Sequence, residues 1–250
     1  MFIKLINYFK DKLKEYILII KYKGKSHYIV EELRKRGAQI GRGVQLYSED
    51  IFIDPTRPWL LTIGEYTKIT HHVIILTHDY SLSVLRRRYG EWIGEGRETI
   101  IGNNCFIGMN SVILMGAHIG NNVIVAAGSV VSGSFPDDVV IGGCPAKIIC
   151  TLEEHYQRRK ERTREEAIEC ARLYIQRFGK EPTIDDMGGF KWLFLPRDKK
   201  TLESMGITFH CTGDEPEEVE KAFYETQPYW NSFEHFINEV KLSEEMEKNT

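Results

Sequence analysis

From Ile101 an aliphatic residue recurs at every sixth position: Ile101, Ile107, Ile113, Ile119, Val125 and Val131 open the blocks IGNNCF, IGMNSV, ILMGAH, IGNNVI, VAAGSV and VSGSFP. The fifth places, Cys105, Ser111, Ala117, Val123, Ser129 and Phe135, are mostly small. The same register appears upstream as IGRGVQ and LYSEDI from Ile40, then IGEYTK, ITHHVI and ILTHDY from Ile63, with an irregular stretch across Asp54 to Trp59. Amphipathic helices do not carry this period, and repetition at a fixed short interval predicts a solenoid. A short strand and a corner make one side of a prism, three sides make a coil, and coils stack at about 4.8 Å by pairing their backbones. The aliphatic openers then point inward, and the fifth place is small because the three sides converge there. Gly and Asn at 102–104, 108, 110, 116, 120–122 and 128 are expected to supply the backbone angles of the corners.

Outside the repeats the period changes. Phe2, Leu5, Ile6, Phe9, Leu13, Ile17 and Ile20 recur at helical spacing, with Lys4, Lys10, Lys12, Lys14 and Lys21 mostly off that stripe, which predicts a basic amphipathic helix. Thr151 to Phe178 reads as a long charged helix, with Ala167, Cys170, Ala171, Tyr174 and Ile175 on one face and Gly179 closing it. It is expected to cap the open end of the prism. An acidic helix is expected from Glu215 to Glu225, and the aromatics of PYWNSFEHF (Pro228 to Phe236) are expected to pack against the prism or a neighbouring subunit rather than to present a sugar-stacking surface. The domains follow: an N-terminal helical segment over 1–37, a mainly β prism over 38–150, and a C-terminal helical cap and extension over 151–250.

Charge and cysteine usage set the surroundings. Residues 1–36 carry ten Lys/Arg against four Asp/Glu, and residues 213–250 carry three Lys against eleven Asp/Glu, so the two ends attract. The apolar run YILII is far short of the roughly 20 residues that span a bilayer. The N-terminal helix suits an anionic membrane, but covering the domain or a neighbouring subunit is the preferred expectation. No nucleic-acid partner is expected. The five cysteines form no CxxC pair and no signal peptide is evident, so a reduced, cytoplasmic setting is expected.

The stretches ILTHDYS, IIGNNCFIGMNSVILMGAHIG, VAAGSVV and GGCPAKII, in that order over residues 38 to 150 or so, resemble the hexapeptide-repeat acyltransferases. The similarity is greatest to the branch of maltose and galactoside O-acetyltransferases and related polysaccharide O-acetyltransferases. The resemblance implies a left-handed parallel β-helix, against the usual right-handed crossover. It also implies a homotrimer with sites between subunits and acetyl-CoA as co-substrate. It places His78 as catalytic base and Met109, Ala127, Ser132, Gly133 and Lys147 at coenzyme contacts, with Lys147 meeting a phosphate. Cys150 stands where related enzymes often carry another basic residue. Glu49 and Asp54 fall in the part that resembles the family's substrate-contact coil, and His72, at a corner, joins them as a substrate-contact candidate beside a purely structural reading.

The chemistry agrees with that reading. A thioester is already activated, so transfer to a hydroxyl needs chiefly one base, and a histidine titrating near neutrality serves. His78 also stands where the hexads stop, ahead of a loop of about 18 residues, Ser81 to Glu98, that resembles a substrate wall. Asp79 is not expected to orient it, because adjacent side chains on extended backbone diverge; the orienting partner is left open. Arg86, Arg87, Arg88 and Trp92 in the loop suit an acidic sugar or phosphate, or a solvated charge run. Cys105, at a fifth place, is read as a small buried hydrophobe rather than a nucleophile. The expected function is O-acetylation of a sugar or polysaccharide precursor without a metal. The alternatives are N-acetylation of an amine, a carbonic-anhydrase-like zinc site at His72, His78 and His118, and a non-catalytic scaffold.

Overall fold

The computed structural model describes residues 26–209 and 213–248; the amphipathic stretch at residues 2–20 lies outside them. The chain divides into two compact units, one ending at Glu153 and the other beginning at Glu154.

The first unit is a parallel β-helix. Its first face stacks Gln39–Ile40, Leu61–Ile63, Thr99–Ile101, His118–Ile119 and Ser134–Phe135. The second stacks Gln45–Leu46, Lys68–Ile69, Phe106–Ile107, Ile124–Val125 and Val139–Gly143, and the third Phe52–Ile53, Ile74–Ile75, Val112–Ile113 and Val130–Val131. Successive strands visit the faces in turn, and every neighbour pairs in parallel until Val139–Gly143 turns back antiparallel onto Ala146–Thr151. The hexad openers from Ile101 to Val131 are at most 2% exposed, and the fifth-place residues from Cys105 to Ser129 are buried with them. The buried hydroxyls of Ser111 and Ser129 both donate to the carbonyl of Ala126, so the interior carries them at little cost.

The corners correct the expectation about glycine. Left-handed backbone falls at the fourth place of most hexads, where Tyr66, His72, Asn104, Asn110, Gly116, Asn122 and Gly128 have φ between +51° and +77°, and at the third place, Gly133, in VSGSFP. Glycine at the second place answers a different need. A Cβ at Gly41, Gly64 or Gly108 would lie 2.5 Å from the backbone nitrogen of Glu65, Asn103 or Ala127 in the next coil. Coil stacking, rather than the turn angle, demands glycine there.

Along the edge between the first and second faces, Asn103 donates its backbone N–H and its side-chain amide to Oδ1 of Asn121, whose own N–H reaches Asp137. At the other end of the stack the helix Ser26–Lys35 sends Val30 and Leu33 into the core. Its Arg34 donates to the carbonyls of Ile40 and Gly41, which closes the first coil.

The Ser81–Glu98 segment, expected as a loop, contains the helix Leu82–Tyr89, none of whose residues is buried. It is a projecting arm, and its helicity escaped the sequence because no apolar stripe faces a core.

In the second unit the helix Leu152–Phe178 buries Ala167 and Ala171 against Met187, Phe194, Trp230 and Phe236. Gly179 follows it at φ +65°. Trp230 and Phe236 belong to this core, with the indole N–H of Trp230 bonded to Glu239. The acidic helix runs Pro216–Tyr224. Among the described residues no helix is long and apolar enough to cross a membrane.

Candidate active site

Where the third face hands the chain to the first, Ile53 pairs with Ile75. That register sets Asp54 to Thr56 over Leu76 to His78. The Asp54 side chain is 1% exposed, and its carboxylate collects five hydrogen bonds. Oδ1 accepts from the N–H and hydroxyl of Thr56 at 2.9 and 2.7 Å. Oδ2 accepts from the hydroxyl of Thr77 at 2.5 Å, from its N–H at 3.3 Å and from Nδ1 of His78 at 2.5 Å.

Burial alone would push the Asp54 carboxyl up, but the bonds from Thr77, Thr56 and His78 outweigh it and hold the group well below the usual carboxylate range. An ionised partner can only accept, so Nδ1 of His78 carries a proton, and in the neutral ring the lone pair falls on Nε2. The His78 side chain is 18% exposed, and Tyr80 stands edge-on to its ring at 5.7 Å. An imidazole held by a buried carboxylate has the geometry that general-base chemistry requires.

The remaining candidates divide between two edges of the prism. Ser132 and Gly133, both exposed, lie on the His78 edge, and the Gly133 carbonyl accepts from His118 N–H in the next strand. His72, Met109 and Ala127 lie on the edge between the second and third faces, in corners that stack: Asn110 donates to the His71 carbonyl and Gly128 to the Met109 carbonyl. Lys147 is exposed on the antiparallel hairpin and Glu49 on a bend near the first coils. One chain therefore does not bring the His78 group together with Met109 and Ala127, because the third face separates them. Nor does it gather His72, His78 and His118, which sit on a corner, on the opposite edge and on an outer face. Asp54, expected near substrate, instead spends its carboxylate on Thr56, Thr77 and His78. Cys105 is 1% exposed, burial pushes its thiol up, and its Sγ bonds the carbonyl of Gly120, as befits an inert core residue.

Residues 98–132 match the hexapeptide repeat of succinyl-transferase. Protein CapG of Staphylococcus aureus is 44% identical over 125 residues, a match covering 50% of this chain and 72% of that protein. The chain belongs to the hexapeptide-repeat acyltransferases. Two curated relatives named for O-acetyl transfer overlap less of their length. Galactoside O-acetyltransferase of Escherichia coli K12 is 32% identical over 101 residues, covering 39% of this chain and 49% of that enzyme. WbbJ of the same strain, whose name assigns it provisionally to O-acetyl transfer in lipopolysaccharide biosynthesis, is 34% identical over 120 residues, covering 44% and 61%.

Within this family member, sequence reasoning missed Thr56, Thr77 and the pairing of Asp54 with His78. The signal was present in the spacing. Once Ile53 is matched to Ile75, Thr56 falls directly over His78, and its hydroxyl lies 3.3 Å from Nδ1. One extra residue after the LYSEDI block hid that match, since the buried Leu46 and the buried Ile53 are seven positions apart rather than six.

Proposed function

We propose that this chain transfers an acetyl group from acetyl-CoA to a hydroxyl of a sugar or polysaccharide precursor, with His78 as general base. The observation that carries this reading is the Asp54–His78 pair, which leaves Nε2 as an acceptor on an accessible edge. In the proposed step Nε2 takes the hydroxyl proton as the oxygen attacks the thioester carbonyl. Collapse of the tetrahedral adduct breaks the C–S bond, and the imidazolium returns the proton to the departing thiolate. Asp54 faces the positive charge that develops on the ring. Acetyl transfer is supported by the galactoside O-acetyltransferase and WbbJ, and by the family to which the chain belongs.

The coenzyme is proposed to lie against Met109, Ala127, Ser132 and Gly133, with Lys147 at a phosphate, and the acceptor near Glu49 and His72. Since these residues occupy two edges of one prism, the complete site is proposed to form between copies in a left-handed, trimeric assembly. The third face supports this. Its outward ladder Phe52, Ile74, Val112 and Val130 is wholly apolar, whereas the first face presents Gln39, Thr62, Ile100, His118 and Ser134.

Thiol release from acetyl-CoA, measured with a panel of sugars and amines, tests the reading. His78→Ala is expected to lower transfer by about a hundredfold or more while the protein stays folded and binds coenzyme. Undiminished transfer would overturn the assignment of the base, and transfer to amines alone would move the reaction to nitrogen.

A further inference from the structure

The arm Ser81–Glu98 is built for something the prism does not explain. It starts at a local turn just past His78, and its return is tied to the coil of His78 and to the coil before it. At the start Asp79 accepts from the N–H and hydroxyl of Ser81. At the return the N–H of Arg97 reaches the Thr77 carbonyl, and Arg57 donates to the Glu95 carbonyl at 2.5 Å. Gly96 leaves the room that Arg57 occupies.

At the tip, Arg86, Arg87 and Arg88 fill the last turn of the helix, and the chain turns at Gly90 so that Trp92 comes back under Arg86, whose guanidinium lies 4.3 Å from the ring centroid. Trp92 nevertheless remains 80% exposed. Other arginines of this unit are spent on carboxylates, as in Arg34–Glu31, Arg42–Glu65 and Arg97–Glu95, or on backbone carbonyls, as Arg36 on Pro55 and Arg57 on Glu95. Among the described residues none of Arg86, Arg87 and Arg88 meets one, Glu91 included. Cations in a last helical turn do complement the helix dipole. That effect accounts neither for three in succession nor for an open indole holding one of them in place.

We propose that the arm tip is the anion subsite of the acceptor, and that the acceptor sugar arrives joined to a phosphate or diphosphate. The guanidiniums take the phosphate oxygens through paired N–H donors, the recognition for which Arg is suited. Trp92 supplies a flat apolar surface for a ring. The helix starts at Leu82, four residues past His78, and Arg86 stands about 6 Å further along it. A bound phosphate is thereby fixed near the base that deprotonates the sugar. This inference rests on the acyl-transfer reading for the identity of the acceptor, but the anion subsite stands on the arm alone.

Calorimetric titration of the full chain with inorganic pyrophosphate, uridine diphosphate and coenzyme A tests it. The native chain is expected to bind both pyrophosphate and uridine diphosphate. The triple variant Arg86→Ser/Arg87→Ser/Arg88→Ser is expected to weaken both by roughly tenfold or more, since bonds to charged groups contribute that much each, with coenzyme A affinity unchanged. Trp92→Ala separates the sources: weaker binding of uridine diphosphate with pyrophosphate unaffected marks a nucleotide-linked sugar, and equal effects on both mark a diphosphate on a different carrier. Absent or equal binding of pyrophosphate and uridine diphosphate by the native and triple-variant chains overturns the proposal, as does a loss confined to coenzyme A. Loss of transfer to every acceptor with pyrophosphate binding intact would remove the acyl-transfer reading and leave the anion subsite in place.

Discussion

Oδ2 of Asp54 holds Nδ1 of His78 at 2.5 Å across 24 positions of sequence, and the same oxygen is anchored by Thr77, the residue that precedes the histidine. Carboxylate and imidazole are thus held from two consecutive residues of one coil, which leaves the ring little freedom to turn.

Asp54→Asn keeps the shape and removes the charge. The amide offers one accepting oxygen where two served, so at least one of the Thr56, Thr77 and His78 donors loses its acceptor. Transfer is expected to fall by roughly a hundredfold or more, with acetyl-CoA affinity retained, and stability by about 1–3 kcal/mol. Steady-state kinetics and urea unfolding of the same preparation check both.

Asp54 also sets a pH dependence. Its folded-state pKa is depressed, so the stability it contributes is fully present above the unfolded value of about 3.9 and is lost as pH falls through the folded value. The unfolding free-energy difference between the native chain and Asp54→Asn is expected not to fall from pH 8 to 5 and to shrink below about pH 4. Denaturant titrations across that range would show it; a difference that declined between pH 7 and 5 would contradict an ionised Asp54.

Glycine at the second and fourth hexad places should respond differently. Gly64→Ala forces a Cβ to within 2.5 Å of the Asn103 nitrogen, where backbone has to move, and a loss of about 3 kcal/mol or more is expected. At Gly128, φ +71°, a Cβ meets nothing within 4 Å, so Gly128→Ala is expected to cost only the left-handed backbone penalty of about 1–2 kcal/mol, and Gly128→Asn less. Thermal unfolding of the three variants orders them.

Arg57 fastens the return end of the arm to the prism. Arg57→Ala is expected to loosen the arm without unfolding the stack, and so to hasten tryptic cleavage at Arg86, Arg87 and Arg88, with the hexad region still protected. Limited proteolysis followed by mass analysis checks it, and unchanged cleavage would mean that the Arg97–Thr77 bond alone holds the arm.

By itself the sequence determined the prism. Identical coils stack, so each inward place meets the same environment every turn, and Ile101 to Val131 reveal in their spacing what the structure confirms in their burial. The motif around His78 was legible for the same reason, as the place where that regularity stops. Only the tertiary structure decided what surrounds the histidine. The Asp54–His78 pair depends on how an irregular coil registers on the next, and one extra residue between Leu46 and Ile53 shifts that register away from the simple count of six. The arm was equally out of reach of the pattern. Its helix buries nothing, so no apolar stripe announced it, and its position follows from bonds at Thr77 and Glu95 that exist only once the coils are stacked.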